Sequence, residues 1–128
     1  MSEVDAVELM RLYVDSLGES RFGTVTLPIA TKAFAPPAAP LRVTDLQPAQ
    51  HYVIIELPVG WGGAVPHPAP GRHLFLCLSG SFQVTASSSE TRSFATGDGL
   101  LLEDISGKGH TTVVTSNEPV RAVMIRLA

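Results

Sequence analysis

Very little in this chain of 128 residues can form a covalent bridge, bind a polyanion or cross a bilayer. There is one cysteine, Cys77, which closes no intrachain disulfide, so nothing requires an oxidising compartment. Set in the apolar run LFLCLSG, that thiol reads as a buried packing group before it reads as a nucleophile. Charge is sparse and slightly acidic, nine Lys and Arg against twelve Asp and Glu. No basic stripe is present to neutralise a row of phosphates, which excludes nucleic acid as the expected partner. No apolar run approaches the roughly 20 residues that span a bilayer. The start, MSEVDAVELM, lacks the positive charge and apolar core of a secretory signal. The expectation is a cytoplasmic protein with no membrane contact.

Helical periodicity is nearly missing too, confined to VDAVELMRLYV near the N-terminus. What remains is strand signal, short apolar or alternating runs separated by the turn clusters SLGES, FAPPAAP, GWGG, HPAPG, SG, SSSE, TGDG, SGKG and SNEP. Strands are predicted at 9–14, 24–28, 41–43, 51–59, 74–78, 81–86, 91–95, 99–103, 110–115 and 121–127. Ten short strands without long helical inserts predict an all-β closed barrel or double-sheet jelly roll, in one domain. Residues 1–40 form its N-terminal strand and strap segment, and residues 41–128 the barrel proper. The prolines of AFAPPAAP suit an extended strap or edge, since proline donates nothing to an interior ladder. MRLYV is expected to pair as a strand with FGTVT, the alternative being a short helix running into a strand.

Two of the four histidines bracket HPAPGRH, residues 67–73, and a third ends GDGLLLEDISGKGH, residues 97–110. This arrangement resembles the cupin superfamily, small β-barrels marked by a first motif G-x5-H-x-H-x3,4-E-x6-G and a second motif G-x5-P-x-G-x2-H-x3-N. Aligned on Gly80, the first motif places His67 at its first histidine, Ala69 at its second and His73 at its glutamate. Aligned on Gly97, Gly107 and His110, the second places Glu103 at its proline and Val114 at its asparagine. The resemblance implies a single-domain cupin barrel with a small-molecule pocket inside it, in a group of small cupins with no established activity. It also implies a homodimer, for which the apolar N-terminal segment is the candidate contact.

The side-chain chemistry of those positions supports more than one reading. Strand alternation puts His73, Phe75 and Cys77 on one face and would bring His110, Thr112 and Val114 opposite them. If His67, His73 and His110 converge, three imidazoles and an open position form a site for Zn, Fe, Ni, Cu or Mn. Against this, Ala69 replaces a ligand and His73 replaces the carboxylate that a hard ion prefers, which leaves a metal-free pocket of hydrogen-bonded histidines as the alternative. In a third reading His67 or His110 is a general base, since imidazole titrates near neutrality. Trp61, between glycines, is a candidate pocket wall together with His73, Phe75, Cys77 and Glu103. Glu103 or Asp104 could orient His110 by taking a ring proton, while Asp104 also suits a turn whose side chain caps local amides. Arg72, beside His73, should face away from the pocket. The function expected is an enzyme of oxygenase, isomerase or lyase type acting on a small organic ligand, divalent metal included. The alternative is a metal-free binding or sensor module.

Overall fold

The computed structural model describes residues 5–128. It contains β1 (Ala6–Val14), β2 (Ser20–Lys32), β3 (Leu41–Thr44), β4 (Ala49–Leu57), β5 (His73–Ser79), β6 (Ser81–Ala86), β7 (Thr91–Ala95), β8 (Gly99–Glu103), β9 (His110–Val114) and β10 (Val120–Leu127). Each expected strand is present. Among the described residues there is no helix, so none is long and apolar enough to cross a membrane.

The strands form a seven-stranded sheet, β3-β2-β1-β8-β5-β10-β4, and a three-stranded sheet, β7-β6-β9. Between β4 and β5 the chain crosses to the second sheet, where isolated bridges pair Gly62 with Val113 and His67 with His110 on β9. With that crossing segment counted, four strands of the large sheet, β8-β5-β10-β4, are matched by four others, β7-β6-β9 plus residues 62–67, and from β4 onward the chain passes back and forth between the two sets except at the β6–β7 hairpin. This is a jelly roll, the all-β arrangement expected.

The N-terminal segment extends that barrel. β1 pairs with β2 antiparallel, Met10 opposite Thr24 as expected for MRLYV against FGTVT, and lies parallel along β8, with Leu12 opposite Leu102. β2 is longer than its expected 24–28 because it serves two partners in turn. Its first part, up to Pro28, pairs with β1, and Ile29–Lys32 pairs with β3. Pro28, with no N–H to give, stands where the ladder changes hands. The AFAPPAAP stretch lies exposed before β3, at the edge of the sheet.

Alternation decides what lies between the sheets. On β5, His73, Phe75 and Cys77 are buried while Leu76 and Leu78 face out, as read from the sequence. On β6, Phe82, Val84 and Ala86 point inward. Phe82 lies at the centre, edge-on to Phe75 at 5.1 Å between ring centroids and stacked on Phe94 at 5.2 Å. Leu12 from β1 joins the same core, so the N-terminal hairpin shares the barrel's apolar interior.

Truncating Phe82, only 2% exposed, removes both ring contacts at once. Phe82→Ala is expected to cost about 3–5 kcal/mol in urea unfolding. A loss below about 1 kcal/mol would mean that the three-ring cluster is not the centre of the core.

Candidate functional site

A cavity of about 120 Å³ lies between the sheets. The large sheet contributes Ile55, Leu57, Phe75, Leu100, Leu102 and Met124 to its wall. Phe82, Val84, His110 and Thr112 close the other side, and the crossing segment adds Trp61, His67, Ala69 and Pro70. The lining is apolar apart from the two imidazoles, the Thr112 hydroxyl and the Trp61 indole N–H. Such a pocket takes most of its binding energy from excluded water and its orientation from a few polar atoms.

Those polar atoms are tightly organised. His110 is buried and its Nδ1 stands 2.5 Å from Asp104 Oδ2. A carboxylate oxygen only accepts, so Nδ1–H is the donor and Nε2 is left as the ring's acceptor. Asp104 is fully buried, and its Oδ1 has no hydrogen-bond partner among the described residues. His67 is exposed at the mouth, its ring 5.0 Å from that of His110 and tilted by 48°. The two residues are tied through their main chains, each N–H donating to the other's carbonyl at 3.0 Å.

The loop between Asp104 and His110 can come this close because Gly109 has no side chain. Its φ is +74°, and a Cβ there would stand 2.2 Å from the carbonyl carbon of His67. The turn joining β1 to β2 holds the loop from the other side. Ser20 Oγ donates to Gly109 O at 2.7 Å, Lys108 N–H donates to Gly18 O at 2.9 Å, and Lys108 Nζ pairs with Glu19. Ser87 Oγ donates to the other Glu19 oxygen. The hydrogen bond from Lys108, then that from Ser87, holds the Glu19 carboxyl below its ordinary range.

The structure sorts the expected site residues. His67 and His110 come together, and Trp61 and Phe75 line the same cavity. His73 faces inward but from the opposite sheet, its Nδ1–H given to Gly71 O at 2.7 Å, and it does not line the cavity. Among the described residues no three His, Cys, Asp or Glu side chains form a group that could hold a metal ion. The set His67, His73, His110 is therefore not assembled, and two imidazoles beside Ala69 do not fit the three-ligand centre the sequence resemblance implies. Cys77 packs in the core instead of on the cavity wall, and burial pushes its thiol above the ordinary value. Glu103 faces the far side of the sheet, where Arg11 and Arg72 take its two oxygens at 2.7 and 2.6 Å. Asp104, read as a turn residue, is the carboxylate that meets His110; alternation along the strand turns its neighbour Glu103 outward.

No family model matches the chain, and no curated protein does either. Among solved structures, the cupin domain of Cnp3 from Schizosaccharomyces pombe is similar with a TM-score of 0.48 and 14% identity, over 98% of this chain and 90% of that one. A conserved protein of unknown function from Streptococcus pyogenes is similar with a TM-score of 0.43 and 20% identity, over 59% of this chain and 61% of that one. The strand order itself makes the fold cupin-like.

Gly109→Ala places a methyl inside the His67 main chain at a positive φ. It is expected to lower stability by about 2 kcal/mol or more and to remove the hydrogen-exchange protection of the His67 and His110 amides; unchanged protection would refute the close approach. Because the Glu19 carboxyl is held below its ordinary value, its pairing stabilises the fold fully above that value and is lost as the pH falls through the lowered one. Followed by NMR, the Lys108 and Gly109 amides should shift with a midpoint below the ordinary glutamate value of 4.5. A midpoint at or above it would dissolve the clamp.

Proposed function

We propose that the protein binds a small organic molecule in the barrel and that His110 exchanges a proton with it. The observation that carries this reading is the buried hydrogen bond of His110 Nδ1 to Asp104 Oδ2 at 2.5 Å. It holds the ring as one tautomer, with Nε2 as the acceptor of an imidazole that lines the cavity. When Nε2 takes a proton, the Asp104 carboxylate stabilises the imidazolium that forms, as carboxylates do in histidine-dependent active sites generally. The apolar walls keep competing water away from that exchange. Chemistry of this kind is isomerisation or elimination beginning at an acidic C–H bond. His67, exposed at the mouth with its ring 5.0 Å away, is placed to contact the ligand's outer end.

A second reading, ligand binding without turnover, is favoured by how little of the cavity wall is polar. Deuterium incorporation separates the two. With small ketones and aldehydes in D2O, the wild type is expected to speed exchange of the hydrogens next to the carbonyl. Asp104→Asn and His110→Gln should each slow this by about 10²- to 10⁴-fold, the usual contribution of a positioned base. Binding without any acceleration would leave only the second reading, and equal rates in wild type and both variants would remove His110 from the chemistry.

A further inference from the structure

The charges of the chain are nearly all paired. Of nine Lys and Arg, eight have a carboxylate within 4.0 Å: Arg11 and Arg72 on Glu103, Arg21 on Asp15, Lys32 on Asp45, Arg42 on Asp5, Arg92 on Glu90, Lys108 on Glu19 and Arg121 on Glu56. Arg126 has none among the described residues, nor any hydrogen-bond acceptor there. It is nevertheless partly buried, and its cross-strand neighbours are His73 on β5 and His51 on β4, neither of them an acid.

Its place in the barrel gives this cation a purpose. Met124 and Phe75 are paired across β10 and β5, and both line the cavity. Arg126 and His73 are the next pair on the same face, one pleat repeat or roughly 7 Å along both strands. Ala69 and Pro70 line the cavity from the crossing segment, and Gly71 follows them. The Arg126 guanidinium lies directly over Gly71, so closely that a Cβ at that residue would stand 2.2 Å from its Cζ and Nη1. The missing side chain of Gly71 thus leaves room for the planar, five-donor group next to Pro70, one residue beyond the cavity wall.

We propose that Arg126 is the anchor for the carboxylate of the ligand, making the pocket one for a small organic acid whose apolar part lies against Phe75 and Met124. This rests on the pocket reading above and adds the class of ligand to it. A guanidinium with no acid among the described residues matches a monoanionic carboxylate in charge and in the geometry of a two-point hydrogen bond. A phosphate dianion would call for further cations, and every other Lys and Arg already has its acid.

Acetate, butyrate and benzoate, each matched with acetamide, butyramide or benzamide, test the assignment by NMR titration of the backbone amides and the Met124 methyl. At least one acid is expected to bind about tenfold more tightly than its amide, the scale of a charge-assisted pair, with the largest shifts at Gly71, Phe75, Met124 and Arg126. Arg126→Gln should abolish that preference and leave amide binding unchanged. Gly71→Ala should do the same without altering charge, because its methyl takes the space of a flexible side-chain tip and leaves the main chain in place. Acids and amides binding equally well in the wild type, or an acid preference that survives both substitutions, would overturn the anchor and leave the pocket standing. If neither series perturbs Phe75, Met124 or His110, the anchor and the pocket reading fall together.

Discussion

The pair of main-chain bonds between His67 and His110 is the contact on which the rest of the site depends. It stitches the segment following β4 to β9 and so gives the three-stranded sheet its fourth member. Without it the cavity would lack the wall that carries Trp61, His67, Ala69 and Pro70. The same two bonds set the imidazoles side by side. Barrel closure and site assembly are thus one event, made sterically possible by the missing side chain at Gly109.

Asp104 shows how far local stability gives way to that arrangement. A carboxylate with no exposed surface and one oxygen unpartnered among the described residues is costly to bury. One short bond to His110 recovers part of the cost. A fold selected only for stability would place an apolar side chain here, because replacing a buried polar pair with well-packed apolar groups is often neutral or favourable. The pair makes sense as an orienting device, since a carboxylate on one ring nitrogen decides what the other nitrogen does.

Period-two alternation and turn residues made the strands legible, since each buried face repeats every second residue and each loop carries glycine, proline, serine or asparagine. That residues 10–14 pair with the strand after the SLGES turn was readable for the same reason, although the register brings them against 20–24 and not 22–26. Legibility ended where function depended on distance across the barrel. His73 occupies a motif position by counting, yet lies on the sheet opposite His67 and His110. Choosing Asp104 over Glu103 required knowing that Leu100 and Leu102 face the cavity, a face that alternation carries on to Asp104. The DISGKGH spacing did put a carboxylate and an imidazole on one short loop, a signal that could have favoured Asp104. Ser20 gave none, because its hydroxyl reaches Gly109 across 89 positions of sequence. Arg126 stood out only after every other cation had been matched with its acid.

The parallel contact between β1 and β8 also sets an order of events for the growing chain. During synthesis β1 and β2 emerge first and can pair locally across a short turn, but their docking edge is built some 90 positions later, with Met10 meeting Leu100. Until then Leu12, fully buried in the finished protein, has no barrel to enter. Long-range pairing of this kind slows folding, because a large loop must close before any contact rewards it. The hairpin that clamps the Asp104–His110 loop is therefore made early and seated late, so a nascent chain completes its functional loop only once β1 and β2 have met β8 and the loop that follows it.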